Sequence, residues 1–184
     1  MLVEKEFSVT IWILLLAALV PFWLLQNIIH ELAHGLTMRL GWAWRFRIWP
    51  FPSMKLGRFT FAHVVYEPSA ASGTPTNKGW ALVSIMPKLV NVAFMILGTV
   101  LSIVLRPVSM ATAGLLVLFA VCNAVDFSVG MTRIFCRNPD EADIWKFQSY
   151  MEMDVYRLRW LSASIVVAAV GVVATATILF ILGI

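Results

Sequence analysis

Apolar residues run along this chain in four long stretches, Ser8–Leu40, Pro87–Leu105, Met110–Met131 and Leu161–Ile184, separated by more polar segments. A helix needs about 20 residues to cross the hydrocarbon core of a bilayer, so each stretch predicts a membrane helix. The one long polar interruption, Gly41 to Gly79, has a different rhythm. Trp44, Phe46 and Ile48 alternate with Ala43, Arg45 and Arg47, and Phe59 to Tyr66 is β-branched and aromatic, which predicts two short strands. Pro50, Pro52 and Gly57 lie between them as turn residues, giving a small β-hairpin. From Glu67 to Gly79 no period is visible, and this reads as a mobile loop.

Past the third stretch, Asn138-Pro139-Asp140-Glu141 has the order of a helix start: a capping Asn, Pro in the first turn, then acids facing the positive dipole end. Ile144, Phe147, Met151, Val155 and Leu158 follow at helical spacing, so an amphipathic helix over about 139–157 is expected on the membrane surface. The fold class is therefore an all-α polytopic membrane protein with about four transmembrane helices, a hairpin and a surface helix. One domain over 1–184 is expected, with a three-helix core over about 8–135 and a fourth span over about 159–184.

Composition agrees with the pattern: 60% of residues are hydrophobic, 13% are charged, and the mean hydropathy is +0.85. Glu4, Lys5 and Glu6 precede the first stretch in place of a basic cluster, so it reads as a mature helix and not as a secretory leader. The net charge of +4 matters less than its placement, because nearly all 14 basic residues lie on one side of the expected membrane. The positive-inside rule makes that side cytoplasmic, with the 42–78 loop there and both termini outside. The basic excess thus points to the lipid bilayer as partner and not to nucleic acid; the expected location is a prokaryotic cell membrane. Cys122 and Cys136 have no disulfide or metal-knuckle spacing and read as reduced thiols.

The chemistry is concentrated in His30-Glu31-Leu32-Ala33-His34. Residues four apart share a helix face, so two imidazoles can reach one Zn²⁺ while Glu31 sits where it can take a proton from water. Ionisable groups within an apolar span are costly and are kept for function, and two of the chain's three histidines fall in this pentapeptide. A catalytic zinc needs a third protein ligand. Of ten acids, Asp126 alone lies deep in an apolar run. At 1.5 Å per residue, His30 is about 33 Å from Ser8 and Asp126 about 26 Å from Ser109, so both fall in the same half of the membrane. His63, in the hairpin, is the rival ligand. Glu67 and Asp143 are weaker rivals because both lie in segments expected to be watery.

These residues resemble the site-2 protease type of intramembrane zinc metalloproteases, and more closely the small membrane zincins related to that family. In that family a first core helix carries His-Glu-x-x-His and a third supplies an aspartate. The resemblance covers about 21–129 and implies His30, His34 and Asp126 as metal ligands and Glu31 as general base. Pro87-Lys-Leu-Val-Asn91 is similar to the family's Pro-x-x-x-Asn, which makes Asn91 and Asn123 candidates for holding substrate or oxyanion. Asn123-Ala-Val-Asp126-Phe127 departs from the family's Asn-x-x-Pro…Asp-Gly, being shorter and lacking the proline and the following glycine.

The implied reaction is hydrolysis of a peptide bond in a membrane-embedded protein or peptide, with zinc acidifying a water to a pKa near 7 and Glu31 moving its proton. Two other classes remain: a membrane metal-binding or transport protein, and an inactive zincin that binds clients as a regulator. On the fourth stretch, Ser164, Ala168, Gly171 and Thr175 form a small-residue face that permits close packing, within the chain or in a homo-oligomer. The charge asymmetry generates a first test. Single cysteines placed near Lys55 and Asp140 should react with an impermeant thiol reagent from the cytoplasmic side alone; labelling from outside would reverse the orientation.

Overall fold

A computed structural model describes residues 9–51, 53–55, 58–60, 62–136 and 142–182. Helix α1 spans Val9–Trp42, and a hairpin follows in which β1 (Arg45–Trp49) pairs with β4 (His63–Glu67) and β2 (Ser53–Lys55) with β3 (Arg58–Thr60), all antiparallel. Then come α2 (Asn77–Leu105), α3 (Met110–Thr132), a 3-10 turn at Arg133–Phe135, the short α4 (Asp143–Met151) and α5 (Val155–Leu182). Helices α1, α2, α3 and α5 are each long and apolar enough to cross a membrane, so the chain is an all-α polytopic fold with a two-stranded hairpin.

The spans are longer than the apolar runs alone indicate. Helix α2 begins at Asn77, ten residues before Pro87, because Thr76 caps it by accepting from the Gly79 amide at 3.3 Å. Proline is therefore inside this helix, and the unpatterned loop is shortened to 68–76. Ser109 caps α3 in the same way, accepting from the Thr112 amide at 3.2 Å.

The expected surface helix is split. Glu152 adopts a left-handed φ of 52°, and its amide donates to the carbonyls of Gln148 and Ser149, closing α4 after nine residues. Asp154 then opens α5, its carboxylate accepting from the Arg157 amide at 2.8 Å, so Val155 and Leu158 belong to the fourth span. The Asn138–Glu141 helix start, like Pro52 and Gly57 of the hairpin turn, lies outside the described residues.

Helix α3 is the hub. It meets α2 closely at Gly98, where an added Cβ would lie 3.0 Å from the Leu116 carbonyl oxygen. Met95, Phe127, Met131, Ile134, Ile144 and Leu158 join α2, α3, the 3-10 turn, α4 and α5 in one core. Outward-facing positions such as Leu16, Val20, Ile103, Val167 and Val172 are apolar and exposed, as a lipid-facing surface requires.

The hairpin folds back onto the C-terminal turns of α1. Ala43, at φ 58°, turns the chain out of the helix, and Trp44 packs edge-on against Trp80 and Tyr66 while its indole N–H donates to the Gly73 carbonyl at 2.8 Å. Phe46 lies against Gly35, where any Cβ would overlap its ring. The docking thus depends on a missing side chain one residue past the second motif histidine. Gly35→Ala should lift the hairpin, giving several-fold faster proteolytic nicking between Trp49 and His63 with unchanged helical circular dichroism; equal nicking rates would show that Phe46 does not anchor it.

Candidate metal centre

The four-residue spacing on α1 puts His30 and His34 on one face, with ring centroids 5.2 Å apart. Each ring is oriented by a hydrogen bond at Nδ1. That of His34 lies 2.8 Å from the Val83 carbonyl oxygen, which can only accept, so Nδ1 carries the proton and Nε2 a lone pair. Val83 has a carbonyl to offer because the residue four positions on is Pro87, which has no N–H to close the helical bond. The proline inside α2 thereby supplies the acceptor that sets the His34 tautomer.

At His30, Nδ1 lies 3.1 Å from Asp126 Oδ2, and Nε2 again faces away. Both Nε2 atoms converge on Asp143 Oδ2, at 3.2 Å from His30 and 3.4 Å from His34. Among the described residues His30, His34 and Asp143 are the group whose ligand atoms lie within 4.8 Å of one another. With the ring protons on Nδ1, the two Nε2 lone pairs and the carboxylate oxygen make a ligand set suited to a divalent cation of the zinc type. Carboxylate or carbonyl partners behind each imidazole are the usual supports of such a site.

Asp143 reaches the cluster through packing. It lies in the first turn of α4, whose start is fixed by fully buried Ile144 and by the Trp145 indole N–H, which donates to the Arg133 carbonyl at 3.0 Å. Trp80 stacks on Tyr150 and holds the other end. Burial opposes ionisation of Asp143, but when His30 and His34 are protonated their donation to it outweighs burial and holds its carboxyl well below the usual range.

Asp126 is on the opposite edge of the His30 ring from Asp143, and its Oδ2 is heavily used. Asn91 Nδ2 donates to it at 2.6 Å and Lys88 Nζ at 3.3 Å, while Gln26 donates to the Asn91 side-chain oxygen. A hydrogen-bonded chain thus runs Gln26–Asn91–Asp126–His30 across three helices, buried at its Gln26 and Asn91 end. Asn91 is fully buried with its amide committed to this chain. Asn123 is also fully buried, donates to the Phe119 carbonyl and does not line the cavity described below. His63 stands apart in β4, with Nδ1 3.4 Å from Ser53 Oγ.

Glu31 Oε2 accepts from the Val64 amide at 2.9 Å, so the outer edge of β4 holds the motif carboxylate in place. Nearby Tyr66 is kept protonated: burial first, then the charges of Glu31 and Asp143, push its phenol above the usual range. A cavity of about 260 Å³ opens beside these groups, lined by His30, Glu31, Asp126 and Asp143 and by two cations, Lys88 and Arg133.

The sequence pattern brought His30, Glu31, His34 and Asp126 together, but ranked Asp143 low and counted Lys88 only as a charge. A signal for Asp143 was present: it precedes Ile144 and Phe147, whose apolar face must pack down and carry the acid inward. For Lys88 the signal was a lysine inside an apolar stretch. Compared with protein-family models, curated proteins and solved structures, the chain matches none. Any functional reading therefore stands on the chemistry of the site.

The Val83 carbonyl provides a test. Pro87→Ala restores a helical N–H that competes for this oxygen, so the helix should persist while the affinity for any divalent metal ion the site takes up drops about 10-fold or more. Unchanged affinity by competition with a chelator would show that the His34 support is dispensable.

Proposed function

We propose that this chain is an intramembrane zinc metallopeptidase that hydrolyses a peptide bond in a membrane-embedded substrate. The observation that carries the reading is the convergence of His30 Nε2, His34 Nε2 and Asp143 Oδ2, with Glu31 on the same cavity. His30, His34 and Asp143 would hold the ion, and Asp126 would hold His30 from behind. A zinc ion bound there supplies a Lewis acid and a water acidified to a pKa near 7.

The chain's own groups do the rest. Glu31 takes the proton of the attacking water and returns it to the leaving amine, which requires its carboxylate to stay in place, as the bond from the Val64 amide keeps it. A substrate helix in lipid has its backbone bonds satisfied internally, so it must unwind before its carbonyl can enter the cavity. The hairpin lies over the motif, where an extended segment could run beside β4. The basic segments would face the cytoplasm, placing the site at that side of the membrane.

Three substitutions test the roles separately. Glu31→Gln should retain zinc at full occupancy and lose cleavage by about 10²-fold or more. Asp143→Asn should empty the site, whereas Asp126→Asn should weaken zinc binding by about 10–100-fold yet fill at excess metal. Metal content of the purified proteins decides the assignment, and an emptied Asp126→Asn beside a filled Asp143→Asn would make Asp126 the ligand. Full zinc with no peptidase activity in the unsubstituted protein would favour the regulator reading.

A further inference from the structure

Two cations line the cavity without a part in the proposed hydrolysis. Lys88 is only 4% exposed, yet it lies on a membrane helix and its ammonium lines the cavity. Its path is built into the fold: at Gly130, one turn beyond Asp126 on α3, an added Cβ would overlap the Lys88 chain end. An ammonium has three N–H donors. Two point at Asp126, at 3.3 Å to Oδ2 and 3.5 Å to the backbone carbonyl, and no other acceptor engages Lys88 among the described residues. One donor is therefore left for the cavity. Arg133, exposed where α3 ends, lines the same cavity, and its guanidinium pairs with no carboxylate among the described residues.

The charge balance follows. Three carboxylates (Glu31, Asp126, Asp143) face two cations (Lys88, Arg133), so the protein alone is short of one positive charge there. A divalent ion on His30, His34 and Asp143 reverses the sign and makes the loaded cavity attractive to an anion.

We propose that Lys88 and Arg133 form a carboxylate-binding subsite beside the metal, so that the substrate carries a carboxylate close to the scissile bond. This rests on the peptidase reading and names its substrate class. The carboxylate comes either from a peptide C-terminus, in which case the protein trims chain ends, or from an acidic side chain next to the cut. A guanidinium and an ammonium can grip it together through charge-assisted hydrogen bonds, and the placement next to Glu31 makes the occupant the reacting peptide and not a lipid headgroup. The cavity volume of about 260 Å³ fits one or two residues, not a helix.

The test measures binding, independently of turnover. The full chain in detergent micelles, zinc-loaded and carrying Glu31→Gln, is titrated calorimetrically with N-acetyl-alanyl-alanine, its C-terminal amide, N-acetyl-alanyl-glutamate amide and glycerol 3-phosphate. One of the two peptide acids should bind about tenfold tighter than the neutral amide, and which one does identifies the source of the carboxylate. Arg133→Gln, a change at an exposed residue that leaves folding intact, should abolish the difference; Lys88→Met should do the same. The proposal is overturned if acid and amide bind alike, if the preference survives both substitutions and so belongs to the metal, or if glycerol 3-phosphate binds tightest. A chain that cleaves nothing but shows the Arg133-dependent preference would sink the peptidase reading and leave the subsite standing.

Discussion

Inside an apolar bundle a backbone carbonyl without a helical partner is expensive, and one such carbonyl organises this protein. Pro87 frees the Val83 oxygen, and the ring of His34 on the neighbouring helix takes it. That hydrogen bond joins α1 to α2, fixes which nitrogen of His34 is bare, and aims it at the point His30 also addresses. The same logic repeats one turn earlier. The His30 ring satisfies Asp126, whose oxygen also draws donors from Asn91 and Lys88, so four polar side chains from three helices exist within the bundle only by satisfying one another. Packing around Gly98 and Gly35 brings the helices and the hairpin close enough for these bonds to form.

Much of the fold was legible because the bilayer makes the code coarse. Four apolar stretches became four spans, and the alternating segment after Trp44 became β1. Boundaries were less legible, for physical reasons. Thr76 starts α2 well before its apolar run because a capping hydroxyl, and not hydrophobicity, decides where a helix begins. The surface helix was drawn through to 157 because apolar spacing continues past Met151. The break at Glu152 is a left-handed residue that periodicity does not register.

The site was legible where it is local and opaque where it is tertiary. His30, Glu31 and His34 sit on one helix, so spacing alone gathers them. Choosing an acid by depth favoured Asp126, which the structure does place against His30, at Nδ1. What depth cannot reveal is that a short helix outside the spans folds back and presents Asp143 to both Nε2 atoms. That position depends on Ile144 entering the core and Trp145 reaching Arg133, contacts between segments distant in sequence. Asn91 illustrates the converse: its motif spacing marked it as useful, and its burial places that use behind Asp126.

His30 and Asp143 are separated by 113 positions along the chain, yet both address one point. Holding them together closes a very long loop, and the entropy of closing such a loop rises only slowly with its length. The cluster of His30, His34 and Asp143 is consequently also a staple between the first helix and the amphipathic segment ahead of the last one. Breaking it would return that loop's freedom to the chain and leave α4 held by the contacts of Ile144, Trp145 and Tyr150. Site and architecture are therefore coupled here: the residues that could hold an ion are the same ones that tie the first helix to the segment ahead of the last.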